Sequence, residues 1–321
     1  MPTPPRIVKA LLVGDIHLSQ NPPLCRAGEP DWFEAMARPL VELKTAQSLY
    51  GVPVIIAGDI FDRWNPPPEL INFALENLPD DVHAIPGQHD LPNHNYEEMN
   101  RSAYGVLVSA GKIHDLTPTE ICSGYGHNVN GIEIYAFPWG FPIEPVDESD
   151  DSRFITLALV HAYIWQGKLT GYTGAPEDRL ISEYASKLHG FTHAVFGDNH
   201  IPFDGRIDFA KPGISGFCRV YNCGGFYRRK SDEVDHRPSY GLLYSTGEIE
   251  RVYFDCSADV LDITKTETKV DLKTDFQEFT RELAKLSGGA FDFRFAVKTY
   301  CETHDVTPAA KKWLSLAMDE K

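Results

Sequence analysis

The sequence predicts an α/β protein with two sheets, and two patterns in the order of its segments support this fold class. Along the first third of the chain, apolar runs alternate with amphipathic helical stretches, an order typical of parallel βαβ units. Beyond residue 108, strand-like runs follow one another with turn residues between them. This second pattern indicates another sheet, with more antiparallel character.

The first sheet is expected to contain three buried strands joined by two helices. Residues 7–13, 52–57 and 82–85 are mostly apolar and rich in β-branched side chains, which predicts strands covered on both faces. Residues 31–49 place apolar side chains at helical spacing, and a run of prolines before residues 70–78 opens the second helix.

The second sheet is expected from six further strand-like runs and one helix. The helix is predicted over residues 176–188, after an acidic surface loop at residues 142–152. The strands are predicted at residues 132–137, 154–161, 193–196, 219–223, 241–245 and 249–255.

The domain organisation follows from length and from a change of pattern near residue 257. A chain of 321 residues is long enough for one large domain and a small one. Residues 1–257 form the predicted main domain. Residues 258–321 mix helical and alternating patterns, which predicts a small C-terminal α+β module.

Composition and charge narrow the class of protein. No apolar run reaches the roughly 18 residues of a membrane span, and the amino end lacks a signal-peptide pattern, so residence in the cytosol is expected. If the gene belongs to a phage, the expected location of the protein is the cytosol of the host cell. The net charge of −16 argues against a protein that coats nucleic acid non-specifically. It leaves a nuclease open, because bound cations and a local basic patch can meet phosphate; the candidate patch is Arg228, Arg229 and Lys230.

Five short motifs carry the candidate chemistry, and most of them follow a predicted strand. Open α/β sheets build their sites at the carboxyl ends of strands, so these motifs are expected to meet there. Carboxylates, imidazoles and a carboxamide in such numbers indicate a centre for two divalent metal ions. The motifs are Asp15-Ile16-His17, Gly58-Asp59-Ile60-Phe61-Asp62-Arg63, Gly87-Gln88-His89-Asp90, His161 and Gly197-Asp198-Asn199-His200.

Individual motifs also allow ordinary structural explanations. Asp15 and His17 alternate and can grip one ion, but an isolated Asp-x-His is more often a turn carboxylate with a solvated histidine. Asp59 can bridge two cations or merely cap a turn. Asp62 can orient and charge-stabilise His89 as a catalytic pair, or form a salt bridge with its neighbour Arg63. The prediction of a metal site therefore depends on all five motifs together.

As a set, the motifs resemble the calcineurin-like metallophosphoesterase family, whose pattern is D-x-H, G-D-x-x-D, G-N-H-D/E, a lone H and G-H-x-H. The match covers about residues 7 to 255. Spacing and flanks, including the Asn222-Cys223-Gly224-Gly225 segment, most resemble the SbcD-type nucleases that process DNA ends. The resemblance implies a four-layer α/β/β/α sandwich of two mixed sheets.

The resemblance also implies a role for each site residue. A first metal would be held by Asp15, His17, Asp59 and His200. A second would be held by Asp59, Gln88, His161 and Asp198. His89 would be the acid that faces the phosphate, with Asp62 as its partner, and Arg228, Arg229 and Lys230 would contact DNA.

Two departures from the family pattern affect the choice of metal. Gln88 replaces the usual Asn and Asp198 replaces the usual His, so the site is richer in oxygen ligands. This favours Mn²⁺, then Mg²⁺, over Zn²⁺. The expected activity is metal-dependent hydrolysis of DNA phosphodiesters. An SbcC-type ATPase partner and a homodimer are left open. The alternatives are a phosphatase or phosphodiesterase acting on small molecules, nucleotides or phosphoproteins, and a non-catalytic scaffold that binds DNA ends.

Overall fold

A computed structural model describes residues 5–118, 126–146, 155–172, 175–209, 216–231 and 233–264. The C-terminal module predicted over residues 258–321 falls almost wholly outside the described residues and stays a prediction. Within the described part, the strands are β1 (Val8–Val13), β2 (Val54–Ile56), β3 (Val82–Ala84), β4 (Ile113–Asp115), β5 (His127–Val129), β6 (Ile132–Phe137), β7 (Ile155–His161), β8 (His193–Gly197), β9 (Phe203–Asp208), β10 (Phe217–Asn222), β11 (Ser239–Tyr244) and β12 (Ile249–Tyr253).

The helices are concentrated in the first third of the chain. The longest, α1, begins after Asp31, whose side chain accepts a hydrogen bond from the amide of Glu34, and ends at Gly51 in the left-handed conformation. No helix in the described ranges combines the length and apolar character needed to cross a bilayer. The α-helices are α1 (Trp32–Tyr50), α2 (Pro68–Asn77) and α3 (Ala103–Ser109), and the 3₁₀ turns are Leu24–Arg26, Pro92–His94, Tyr96–Arg101, Glu177–Arg179 and Ile181–Tyr184.

The strands form two six-stranded mixed sheets. The first has the order β12-β11-β1-β2-β3-β4, in which β1 to β4 are parallel, β11 pairs antiparallel with β1, and β12 pairs antiparallel with β11. The second has the order β5-β6-β7-β8-β10-β9, in which β6, β7, β8 and β10 are parallel and each edge strand is antiparallel. The α/β class with two mixed sheets is therefore confirmed.

Three apolar cores define the layers. The outer face of the first sheet packs under α1, α2 and α3, with Met36, Leu40 and Phe73 among the contacts. Side chains such as Leu12 and Leu159 fill the space between the two sheets. The outer face of the second sheet is covered by loops and 3₁₀ turns rather than by an α-helix in the described ranges.

Two expectations for the second half of the chain are wrong. The second sheet is mainly parallel, and β11 and β12 belong to the first sheet, beside β1. Residues 176–188 contain two 3₁₀ turns rather than a helix, because Leu180 is extended and bridges to Trp165. The crossover between β7 and β8 therefore lacks the helical periodicity by which a parallel connection is usually detected.

Candidate metal centre

The predicted site residues lie at the carboxyl ends of strands from both sheets. Asp15 follows β1, Asp59 follows β2 and Gln88 follows β3, which are neighbours in the first sheet. In the second sheet, His161 is the last residue of β7, and Asp198 follows the adjacent β8. The stacking of the two sheets thus brings motifs from residues 15 to 200 into one place.

The backbone around these predicted ligands adopts an unusual conformation. Of the eight described non-glycine residues with a positive φ, four are predicted ligands: Asp15 at 50°, His17 at 49°, Asp59 at 52° and Asp198 at 86°. Backbone hydrogen bonds between the first two loops, such as His17 N–H to the Asp59 carbonyl at 2.9 Å, hold these conformations. Such local strain concentrates at functional sites, because only a tightly packed surrounding can maintain it.

Three glycines leave the space that these side chains need. A Cβ atom at Gly58, whose φ is +91°, would overlap the ring of His161. One at Gly87 would overlap the carboxylate of Asp59, and one at Gly197 would overlap the Ala57 carbonyl. Gly58 and Gly197 therefore allow the close approach of the two sheets, and Gly87 allows that of two neighbouring loops of the first sheet; a side chain would prevent each contact.

Asp59 lies at the middle of the cluster. Its Oδ1 accepts a hydrogen bond from the His89 amide at 2.9 Å. Its Oδ2 is buried without a hydrogen-bond partner, 3.6 Å from Nε2 of His17 and 3.3 Å from Nε2 of His161. A buried carboxylate oxygen between two imidazole nitrogens is the arrangement expected of a ligand shared by two cations.

One side of Asp59 carries a group of two imidazoles and a carboxylate. Nε2 of His17 and Nε2 of His200 are 3.1 Å apart. A ligand atom of Asp15 lies within 4.8 Å of ligand atoms of both rings. The Asp15 carboxylate is itself oriented by the amide of Asp198, which donates to both of its oxygens at 2.9 and 3.0 Å. These side chains form a set able to hold one divalent ion.

The other side of Asp59 carries His161, Gln88 and Asp198. Nδ1 of His161 donates to the Ala57 carbonyl at 2.6 Å, which leaves Nε2 to face the cluster. That Nε2 lies 2.7 Å from Oε1 of Gln88, whose Nε2 donates to the Asp198 carboxylate at 2.8 Å. The amide oxygen of Gln88 therefore lies beside the imidazole of His161, as a shared ligand set requires.

His89 stands beside this cluster, but its predicted partner is wrong. Nδ1 of His89 faces the backbone carbonyl of Asp62 at 2.9 Å, and not the carboxylate. The Asp62 carboxylate instead pairs with Arg229, and its Oδ1 lies 3.7 Å from Nδ1 of His17. Arg229 was distant in sequence, so no local pattern could indicate that it competes for this carboxylate.

The three residues of the predicted basic patch separate in the structure. Arg229 reaches the site through Asp62, and Lys230 is exposed next to it. The guanidinium of Arg228 instead donates to Asp259 at 2.9 Å and to the Cys256 carbonyl at 3.0 Å. Because these N–H groups of Arg228 are already hydrogen-bonded within the protein, a contact between Arg228 and DNA is no longer expected.

Asp90 and Asn222 have supporting roles that the sequence did not indicate. The buried carboxylate of Asp90 accepts hydrogen bonds from the amides of Ile60, Phe61 and Gly87, and so fastens the second and third motifs together. The side chain of Asn222 donates to the carbonyls of residues 199 and 201 and fixes the last motif. Asp90 lies inside a quoted motif, so its position was available, but its acceptor role depends on folding.

The charges of the cluster shift the pKa values of its members strongly. Burial raises the pKa of Asp15 well above its usual range and lowers the pKa of His200 to about 3. For His161, burial alone would lower the pKa, but the interactions with the carboxylates of Asp59, Asp15 and Asp198 together outweigh it and raise the pKa to about 10. In the metal-free protein a proton on His161 therefore occupies the place that suits a cation.

Metal binding should consequently be coupled to proton release. An imidazole must lose its proton to bind a metal, and His161 retains that proton at every pH below about 10. Affinity for Mn²⁺ should therefore rise as the pH rises from 6 to 8, by about tenfold per proton and pH unit. Titration calorimetry in buffers of different ionisation enthalpy measures the protons released. An affinity that does not change over this interval would contradict the assignment.

Comparison with known proteins agrees with this geometry. A family model described as calcineurin-like phosphoesterase matches residues 8–205, which is more than half of the chain. The chain therefore belongs to the calcineurin-like phosphoesterase family. It is a hydrolase of phosphoesters, and its clustered side chains fit a centre of two divalent metal ions.

Solved structures with a similar arrangement are distant in sequence. A metallophosphoesterase from Sphaerobacter thermophilus shares 15% identity over 78% of this chain and 90% of that chain, with a TM-score of 0.35. The calcineurin-like phosphoesterase YfkN from Bacillus subtilis shares 12% identity over 79% and 92%, with a TM-score of 0.40. No curated protein matches the chain.

Proposed function

We propose that the protein is a metal-dependent DNA nuclease of SbcD type that processes DNA ends in repair or recombination. Its substrate would be cytosolic DNA, in the host cell if the gene belongs to a phage. The observation that carries the proposal is local positive charge on a strongly acidic chain. Arg229 and Lys230 both lower the pKa of His200, which places their charges near the metal centre. A substrate rich in phosphate, such as DNA, requires positively charged side chains near the metal centre.

The segment that most resembles SbcD-type nucleases also lies against the site. The amide of Gly225 donates to the His200 carbonyl at 3.0 Å, and the amide of Phe226 donates to the Asp15 carbonyl at 3.2 Å. The Asn222–Gly225 stretch and the basic residues after it are thus continuous with the metal centre. This position supports a role in binding the substrate.

The ligand assignment proposed for the two ions follows the two sides of Asp59. Asp15, His17 and His200 with Asp59 would hold one ion. Gln88, His161 and Asp198 with Asp59 would hold the other; Mn²⁺ is the proposed metal, with Mg²⁺ as the next candidate. When bound, the two ions would supply an activated nucleophile and the positive charge that phosphodiester hydrolysis needs.

The chain's own residues would then bind and orient the phosphate. His89 is partly exposed beside Asp59, and the contact of its Nδ1 with the Asp62 carbonyl fixes the ring, so that Nε2 is free for the substrate. We assign to it the donation of a proton toward the leaving oxygen. Arg229, held by Asp62, adds positive charge near His17. Asp62 is thus a positioning residue for Arg229 rather than for His89.

A direct assay tests this function. Purified protein is incubated with Mn²⁺ and linear DNA, covalently closed circular DNA, or a small chromogenic phosphodiester. Release of nucleotides from linear DNA, absent without metal, supports the proposal. Hydrolysis of the small diester with no cleavage of either DNA would favour the alternative of a small-molecule phosphodiesterase. Absence of all three activities, with fewer than two ions bound, would favour a scaffold.

The variant His89→Ala tests whether His89 acts as an acid rather than as a metal ligand. We expect the variant to bind Mn²⁺ with wild-type stoichiometry but to hydrolyse DNA about 10²- to 10⁴-fold more slowly, the usual worth of a general acid. Metal content is measured by elemental analysis, and the rate under single-turnover conditions. His94→Ala is the control, since His94 is a nearby exposed imidazole bonded to the Gln88 carbonyl. Full activity of His89→Ala would refute the role.

A further inference from the structure

Three aromatic residues outside the predicted ligand set lie where the second sheet meets the metal centre. Trp139 follows β6 and Tyr163 follows β7, and these two strands are parallel neighbours. Both residues therefore leave the sheet at the same edge as His161, the last residue of β7. With Tyr172, which lies further along the loop after β7, they form what we call the aromatic wall.

Trp139 is the member of the aromatic wall that lies against a predicted ligand. Its indole stands edge-on to the imidazole of His161, with ring centroids 6.4 Å apart. Its backbone amide donates to the carbonyl of Pro86 at 3.5 Å, directly before the motif that contains Gln88. Trp139 therefore adjoins two of the residues proposed to hold the second ion.

The loop that carries the two tyrosines is fastened to the last ligand motif. Asn199, the buried residue between the two predicted ligands of that motif, donates from Nδ2 to two carbonyls of the loop. These are the carbonyls of Ile164 at 2.6 Å and Thr170 at 2.8 Å. The segment from Tyr163 to Tyr172 is thus held beside the metal centre at both of its ends.

The aromatic wall presents ring surface to solvent. Tyr172 is 56% exposed, and Trp139 and Tyr163 are half-buried. The rings of Tyr163 and Tyr172 are in contact, with centroids 5.2 Å apart, and the Tyr172 amide donates to the Tyr163 hydroxyl at 3.2 Å. These contacts hold the exposed ring in place. Single exposed aromatic residues are common, but a group of them fastened beside a catalytic centre indicates a binding surface.

The surroundings of the aromatic wall favour a nucleobase as the group that it binds. Bases stack on aromatic side chains whatever their identity, and proteins that bind single strands combine such rings with cations that meet the backbone. Here the metal centre receives the phosphoester. Arg229, paired with Asp62 beside His17, supplies positive charge on the first-sheet side. Aromatic rings and cations thus flank the same centre.

We propose that the aromatic wall stacks unpaired bases of a DNA strand whose backbone passes over the metal centre. The inference rests on the proposed function, since it assumes a nucleic-acid substrate, and it adds that the bound segment is single-stranded. In a duplex the faces of the bases are covered by neighbouring base pairs, so the end of a duplex must unpair before its bases reach the wall.

Equilibrium binding tests the aromatic wall without depending on turnover. Fluorescence anisotropy on the Mn²⁺-loaded protein compares two short oligonucleotides of equal length, a thymidine strand and an abasic strand. Both carry phosphorothioate linkages that resist cleavage, and they have equal charge. The thymidine strand should bind at least about tenfold more tightly, because only this strand can stack. Equal affinity would overturn the proposal, and this comparison requires no variant to fold.

Tyr172→Ala tests the exposed ring. Affinity for the thymidine strand should fall about 5- to 100-fold, the usual effect of removing one stacking ring, while affinity for the abasic strand stays the same. Tyr172→Phe keeps the ring and should bind the thymidine strand as the wild type does. An equal loss of affinity for both strands in Tyr172→Ala, or no loss for either, would contradict the stacking role.

Tyr50→Ala is the matched control for Tyr172→Ala. Tyr50 is 42% exposed, but it ends α1 before the amino end of β2, at the opposite edge of the sheet from the metal centre. The control should bind both strands with wild-type affinity. A preference of Tyr50→Ala for the abasic strand would show that the base contacts another part of the surface.

Tryptophan fluorescence gives an independent measurement of stacking on Trp139. Stacking of a base on an indole quenches its emission, so the thymidine strand should quench part of the emission of the wild type and the abasic strand should not. In Trp139→Phe this part of the quenching should disappear. Quenching of the same size in Trp139→Phe and wild type would show that Trp139 does not stack a base.

The outcome separates this inference from the proposed function. The same preparations are assayed for cleavage of linear DNA with ordinary phosphodiester linkages. Base-dependent binding without DNA cleavage would overturn the nuclease proposal but retain the aromatic wall as a base-binding surface. DNA cleavage without any preference for the thymidine strand would retain the nuclease and overturn the role of the aromatic wall.

Discussion

Asp59→Asn is expected to lower the rate of phosphodiester hydrolysis by at least about 10³-fold and to weaken both metal ions. The substitution keeps the shape of the side chain and the Oδ1 acceptor for the His89 amide. It removes the negative charge from Oδ2, the atom that lies between His17 and His161. Asp15 also lies near both imidazoles, but within the described site only Asp59 places a buried, unpaired carboxylate oxygen between them, so neither ion should be held as before.

Metal content and single-turnover rate are measured together for this variant. Asp80→Asn is the matched control, because it makes the same chemical change at a side chain that is 92% exposed. The control should hydrolyse substrate and bind metal as the wild type does. If Asp59→Asn retained wild-type affinity for two ions, Asp59 would not bridge them.

Gly58→Ala is expected to have the largest effect on stability. Its φ of +91° is costly for alanine, and the added Cβ would overlap the ring of His161. We expect the free energy of unfolding to fall by about 2–4 kcal/mol, from backbone strain together with displacement of a packed ring. Displacement of His161 should also reduce the second ion's occupancy, although Gly58 itself offers no ligand.

Gly51→Ala separates these two causes. Gly51 also has a positive φ, of +63°, but a Cβ there would meet no atom within 4 Å. Its cost should be the backbone strain alone, about 1–2 kcal/mol, with no change in metal binding. Urea unfolding and metal titration of both variants provide the measurements. Equal destabilisation, with both ions retained in Gly58→Ala, would show that the approach of His161 does not require glycine.

The first sheet and the convergence of the motifs could be predicted because both depend on local patterns. Buried strands such as β1 read as apolar runs, and a motif at the end of a strand has a fixed position in an α/β sheet. The spacing of Asp15 and His17 and the glycine before Asp59 were visible in the sequence. Family resemblance then related the motifs to one another across long separations.

The remaining features depend on contacts between distant residues. The parallel pairing of β7 and β8 was missed because their crossover contains 3₁₀ turns instead of an amphipathic helix. Arg229 pairs with Asp62 across 167 positions of sequence, which no periodicity records. Arg228, its neighbour, has the same charge but packs against Asp259. Which of two adjacent arginines faces the site is therefore decided by tertiary packing.

Anomalous diffraction from crystals soaked in Mn²⁺ at pH 8 is the most direct test of the central claim, that one bridging carboxylate between two sheets organises a pair of ions. The predicted result is two peaks about 3.5–4 Å apart on either side of the Asp59 carboxylate. One peak should contact His17 and His200, and the other His161. A single peak, or peaks that do not touch Asp59, would contradict the account.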